Sequence, residues 1–295
     1  MKKATKTAAL MLAVSMMTAA LTACGNSAGT TNSNAVTDTT VSNTQTPEST
    51  VADAGQAEAG TQEAAPETGG TLTFGTNAEF PPFEFVASNG VIDQYDGIDM
   101  AIAKQIAEKN GMTAAIENME FDSLLVALQN GQIDAAIAGM TVTDERKEEA
   151  DFSIPYYTAT QVMIVKEDSD ISSAADMENK KICVIQGYTG EICVKNMGYP
   201  YEAFKKGTDA IMELVNGKCD VVVLDSATSQ KYVNDNEGLK IVEDASAFES
   251  EEYAIAVKKG NTELLDQINT AIDAMLTDGT IAELGAKYTE ELSAE

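Results

Sequence analysis

Few side chains in this 295-residue sequence are able to do chemistry, because it holds no His. Imidazole general acid–base catalysis, Ser-His and Cys-His nucleophiles and imidazole-ligated zinc are excluded together. Charge recognition remains. Arg146 carries a planar fork of donors that suits a carboxylate held by two parallel hydrogen bonds. Thr141, five residues earlier, offers a hydroxyl and a backbone N–H to the same anion. Thr189 and Gly190 open a stretch of helical spacing, and the unpaired N–H groups of a helix start favour negative charge. Asp225 ends an apolar run and brings the opposite sign. Two of these have plainer readings. Arg146 lies among Glu145, Glu148 and Glu149 and would pair with them on a surface. Asp225 precedes a helical stretch at 226–235 and would cap it.

The elements that must position these groups alternate strand and helix. Thr71–Gly75 reads as a strand, and Ile98, Ile102 and Ile106 recur every four residues in a helix over 97–110 that Gly111 stops. Further strands are expected at 113–118, 133–138, 162–165, 181–185, 201–205, 219–224, 239–242 and 254–257. Helices are expected at 121–130, 190–197, 208–216, 226–235, 262–277 and 280–288. The pattern is α/β with mostly parallel sheets. Leu125 to Gly139 is echoed 86 residues later by Ile211 to Asp225, each copy a helix, an Asn-Gly turn, an Asp and a buried strand. The echo implies two similar α/β lobes. Gly139 and Asp225 then end equivalent strands, where open α/β sheets place ligands.

Composition narrows the partners. Asp and Glu number 47 against 19 Lys and Arg, a net charge of −28. Such a chain is unsuited to nucleic acid or to electrostatic docking on anionic lipid. The 44% hydrophobic content is that of a globular protein. Lys2, Lys3 and Lys6 precede a short apolar run, Ala8–Ala20, and then Leu21-Thr22-Ala23-Cys24-Gly25. This resembles a bacterial lipoprotein signal over residues 1–23, cleaved before Cys24, whose sulfur takes the lipid. An ordinary secretory signal is the plainer reading. Residues 24–70, Cys24 followed mostly by Thr, Ser, Ala, Asn, Gly and Glu with almost nothing large and apolar, are unable to bury enough surface to order themselves and read as a tether. Cys183, Cys193 and Cys219 have no metal or redox spacing and read as buried thiols, with a Cys183–Cys219 bridge as the alternative.

An ordered set of motifs then meets a known family. These are Phe74-Gly-Thr-Asn77-Ala-Glu-Phe80-Pro-Pro-Phe83, Asp96-Gly-Ile-Asp99, Asn130-Gly-Gln-Ile-Asp134, Gly139-Met-Thr141-Val-Thr-Asp-Glu-Arg146, Asp151-Phe-Ser-Ile-Pro-Tyr156-Tyr157 and Gln186-Gly-Tyr188-Thr189-Gly190-Glu191. In this order, over about residues 71–290, the chain resembles the extracellular solute-binding proteins of polar-amino-acid ABC importers. The resemblance implies a type II periplasmic-binding-protein-like fold, with two α/β lobes joined by a two-strand hinge near 158–164 and 251–256. Lobe 1 would span 71–160 plus 252–295, and lobe 2 would span 161–251.

It also implies a site. The ligand's carboxylate would meet Arg146, Thr141, Thr189 and Gly190, and its ammonium Asp225, Gly139 and Thr141. Phe80 and Phe121 would flank the ligand's side chain, together with Asn77, Asp99 and Tyr188. Asn77 stands where the family often has Asp, with Glu79 able to compensate, and Tyr188 stands where it often has a small hydroxyl residue. The expected protein is a monomeric, lipid-anchored receptor on the outer face of the cell membrane. It has no cofactor, metal or catalytic residue, and it delivers a polar amino acid to a membrane permease. The rival readings are a dehydratase-type enzyme on the same scaffold, which needs a carboxyl of raised pKa beside its substrate, and a sensor module. Cys24→Ser is expected to move the protein from the membrane fraction to the soluble fraction, which fractionation and blotting would check.

Overall fold

In the computed structural model, which describes residues 69–291, the chain enters as β1 (Thr71–Thr76). The expected signal sequence, Cys24 and the tether up to residue 68 lie outside the described residues. A small antiparallel sheet follows, absent from the sequence expectations: β2 (Glu79–Phe80), β3 (Glu84–Val86) and β4 (Tyr95–Asp96). The three isoleucines spaced by four become the buried stripe of α1 (Ile98–Lys109). This helix starts at Gly97, with φ 124° and ψ 177°, a conformation open only to glycine. A Cβ there would lie 2.2 Å from the Phe83 carbonyl oxygen. Then come β5 (Thr113–Asn118), a 3-10 turn at Phe121–Ser123, α2 (Leu124–Asn130) and β6 (Ala135–Ala136). The short α3 (Asp144–Glu149) and β7 (Ala150–Phe152) end this stretch.

The ten-residue β8 (Tyr157–Lys166) carries the chain into a second sheet. There β9 (Ile182–Ile185), α4 (Thr189–Asn196), β10 (Tyr201–Phe204), α5 (Gly207–Val215), β11 (Val221–Asp225), α6 (Ser226–Asp235) and β12 (Leu239–Val242) alternate. The chain returns through β13 (Ser250–Tyr253) to β14 (Ala256–Lys258), and α7 (Thr262–Thr277) and α8 (Thr280–Glu291) pack on α1.

The first sheet has the order β5-β1-β6-β14-β7 and the second β10-β9-β11-β8-β12. Each is parallel only in part. β1 runs parallel to β5 and β6, and β9 parallel to β10 and β11. β14 runs against β6 and β7, and β8 against β11 and β12. The expectation of mostly parallel sheets is corrected accordingly. β8 and β14 arrive directly from the other lobe, without a crossover helix to turn them parallel. Where they cross, β8 and β13 pair from Tyr157 opposite Tyr253 to Thr160 opposite Ser250.

The internal echo is a structural repeat down to single bonds. Gly131 and Gly217 both take φ 70° after their helices. Asp134 Oδ2 accepts the Thr73 N–H at 2.8 Å, and Asp220 Oδ2 accepts the Lys181 N–H at 2.8 Å. Asp134 thus pins its strand beside β1, and Asp220 pins its strand beside the start of β9. The chain then runs buried to Gly139 in one copy and to Asp225 in the other. β6 keeps only two ladder residues of the six expected, and the chain bends away at Gly139, with φ 52°. Gly97→Ala is expected to cost on the order of 3 kcal/mol, measured by urea unfolding, through its φ and the carbonyl it would strike. A loss no larger than that of an ordinary surface substitution would contradict this account.

Candidate functional site

Arg146 sits on α3, where the Thr143 hydroxyl accepts the Arg146 backbone N–H at 3.2 Å and starts the helix. Its side chain is not on the surface. Arg146 is 8% exposed and takes part in none of the described ion pairs. Nη1 donates to the Thr141 carbonyl at 2.7 Å, and Nη2 donates to the Gly187 carbonyl, in the other lobe, at 2.9 Å. The guanidinium lies 5.0 Å over the Phe121 ring. Two of its five donors are thereby used, which leaves three for an anion. Burial lowers its pKa, and the charges of Asp225 and Glu251 oppose that.

Asp225 ends β11 at the start of α6 and is 3% exposed. Its side chain does not cap the helix. Oδ1 instead accepts the Tyr253 hydroxyl at 2.5 Å. Burial, reinforced by the charge of Glu251, pushes the Asp225 carboxyl up to about 7 against the pull of Tyr253 and Gln161. Glu251, on the hinge strand β13, is the residue that sequence reasoning missed most completely. Its Oε2 accepts the Thr141 hydroxyl at 2.9 Å, the Thr189 hydroxyl at 2.8 Å and the Gln161 side-chain N–H at 3.3 Å. Both hydroxyls expected to serve a ligand's carboxylate thus donate to a carboxylate of the protein. One acid in the Glu249–Glu252 run has no local pattern to mark it, and Gln161 looks like any other strand residue.

Arg146, Asp225, Thr141, Thr189, Gly139, Phe80, Phe121 and Tyr188 line a single small cavity, with Ala138. Gly139 has to be glycine here, since a Cβ would lie 2.5 Å from the Phe80 ring. Three expected site residues do not line the cavity. Asn77 is buried beside it. Gly190 is packed so tightly that a Cβ would meet the Val223 carbonyl oxygen at 2.7 Å. Asp99 lies beneath, on the first turn of α1, where Oδ2 accepts the Gly139 N–H and the Tyr156 hydroxyl, each at 2.8 Å. Both Glu84 oxygens and Asp99 Oδ1 are buried and meet no donor. Two such carboxyls side by side resist ionising together. Burial and then the charge of Asp99 push Glu84 well above the carboxylate range, and burial pushes Asp99 up to about 6. Glu79 is outside, paired with Lys206 at 2.7 Å. Cys183, Cys193 and Cys219 are free thiols.

Comparison with known proteins bears on this site. The chain matches the family described as bacterial extracellular solute-binding proteins, family 3, over residues 72–291. It is similar to a probable histidine-binding protein of Neisseria gonorrhoeae, 34% identical over 220 residues, which cover 72% of this chain and 81% of that one. It is also similar to the arginine-binding extracellular protein ArtP of Bacillus subtilis (strain 168), 32% identical over 223 residues, 74% of this chain and 85% of the relative. The solved arginine-, lysine-, histidine-binding protein ArtJ from Geobacillus stearothermophilus superposes with a TM-score of 0.69 at 34% identity, over 74% of this chain and 94% of that one. The chain belongs to this family of solute-binding proteins, a family of binders and not of enzymes, built from two α/β lobes.

The raised carboxyls make stability depend on pH. Asp99 and Asp225 bind their protons more tightly folded than unfolded, so their contribution is complete below about pH 4. It is lost as pH rises through about 6 and then about 7. A two-unit shift is worth on the order of 3 kcal/mol. The melting temperature of the free protein is expected to fall between about pH 5 and pH 8 by several degrees. Asp99→Asn and Asp225→Asn should each flatten that slope, and an unchanged slope in both would contradict it.

Proposed function

We propose that this solute-binding protein captures the zwitterion of a polar α-amino acid between its lobes and delivers it to the permease of an ABC importer. The observation that carries the reading is the pair Arg146 and Asp225. One buried cation and one buried carboxylate come from different lobes and border the same small space. An α-amino acid carries the two complementary charges side by side. Its carboxylate takes the free donors of Arg146 and the hydroxyls of Thr141 and Thr189, displacing Glu251. Its ammonium takes Asp225, the Gly139 carbonyl and the Thr141 oxygen. The binding proteins named above for arginine and histidine support an amino acid as the cargo.

The order of events follows from which lobe holds which group. The ligand first meets Arg146, Thr141 and Gly139, and closure then adds Thr189 and Asp225. The closed state gains population because it alone makes both sets of contacts. The hinge is the β8–β13 ribbon, with lobe 1 at 71–160 plus 252–295 and lobe 2 at 161–251. A signal over residues 1–23 and a lipid on Cys24 tether a monomer to the outer face of the cell membrane, within reach of the permease.

Calorimetry against the common amino acids tests the reading. Arg146→Ala should abolish binding, and Asp225→Ala should cost ~3–5 kcal/mol, the loss expected when a buried charge is deprived of its partner. Retained affinity in Arg146→Ala would reject the site. Affinity should also weaken as pH falls below about 7, nearly tenfold per unit, because the Asp225 carboxyl must give up its proton to accept the ammonium. That dependence should vanish in Asp225→Asn.

A further inference from the structure

We propose that Tyr188 sets the substrate class by standing in the side-chain subsite, so that the site takes an α-amino acid whose side chain is no larger than that of serine and turns away long or cationic ones. This rests on the amino-acid reading above. Two of the residues expected to meet the ligand's side chain, Asn77 and Tyr188, touch one another. The Tyr188 hydroxyl donates to Asn77 Oδ1 at 2.9 Å. The other end of the amide fixes its orientation, since Nδ2 donates to the Met119 carbonyl at 2.9 Å. The acceptor atom therefore faces the phenol. An Asp at 77 would leave the Met119 carbonyl without a donor, and the Asn present has no charge to offer a cationic side chain.

The phenol ring fills the space between the aromatic walls. It meets Phe80 edge-on, with ring centres 5.4 Å apart, and Phe121 at 4.7 Å. Tyr188 is 7% exposed, and the cavity left beside it is about 10 Å³, the room of roughly one water. The ring thus lies where a ligand's side chain would lie, with its hydroxyl where the end of that side chain would be read. Asn77 follows β1 and Tyr188 precedes α4, so the bond between them also crosses from one lobe to the other. Closing the cleft and filling the subsite are one event. The cavity of about 10 Å³ is too small for any ligand's main chain as it stands, so even a short ligand enters by parting the lobes between Arg146 and Asp225. A longer side chain has to expel a buried ring and break its hydrogen bond as well.

Thermal shift and calorimetry with glycine, alanine, serine, glutamine, lysine and arginine, on the wild type, Tyr188→Ser and Tyr188→Phe, test this. The wild type should respond to the short side chains and bind arginine and glutamine at least thirtyfold more weakly. Tyr188→Ser should bind glutamine and arginine at least thirtyfold more tightly than the wild type does. Tyr188→Phe keeps the ring and the fold and should still exclude arginine. Wild-type protein that binds arginine as tightly as Tyr188→Ser overturns the inference and leaves the amino-acid reading standing. A Tyr188→Ser variant that melts cooperatively yet gains no long ligand overturns it too, as does a Tyr188→Phe protein that admits arginine. Should none of the three proteins bind any amino acid, the amino-acid reading fails, and the inference falls with it.

Discussion

A guanidinium and a carboxylate, both buried and neither in direct contact with an opposite charge, border one small space from two sides of a hinge. Each such burial costs several kcal/mol unless polar groups replace the lost water. The fold supplies some of those groups and sets neither residue against an opposite charge. Two carbonyls and an aromatic face hold Arg146, and a phenol holds Asp225. The remaining architecture serves this arrangement. Each charge needs a strand end or a short helix to carry it inward, a buried sheet behind it, and a second lobe to complete its surroundings.

The alternation of strands and helices was legible because apolar spacing reports burial directly, as in the Ile98, Ile102 and Ile106 stripe. The repeat was legible because an Asn-Gly turn and an Asp recur at one offset, and both halves use that Asp for the same bond. The burial of Arg146 was not legible from its surroundings. Glu145, Glu148 and Glu149 make a local ion pair the simpler reading, and α3 is too short to show a period. The small β2–β4 sheet, which carries Phe80 and Glu84, was missed for the same reason, since two- and three-residue strands have no alternation to read. Asp99 shows the opposite failure. Its type and place fitted a ligand contact, but a first-turn position on α1 aims it under the site, where it fixes the Gly139 loop.

Glu251 joins the hinge to both lobes through one oxygen. Thr141 belongs to the first lobe, Thr189 to the second and Gln161 to the crossing strand, and all three donate to it. No pattern in the chain around residue 251 announces this, because the three donors are gathered only by the crossing of β8 and β13. The hinge strand is therefore tied to both lobes by side-chain hydrogen bonds as well as by its backbone.

That shared oxygen has an energetic consequence. In the binding mode proposed above, a ligand's carboxylate would find the two threonine hydroxyls already satisfied, so it would trade one acceptor for another and the net gain from each exchanged bond would be small. In that binding mode tight grip would be exchanged for easy departure, because Glu251 stands ready to accept the same two hydrogen bonds again. A carrier that must surrender its cargo at every cycle is better served by such a reversible swap than by contacts that exist only while the cargo is aboard.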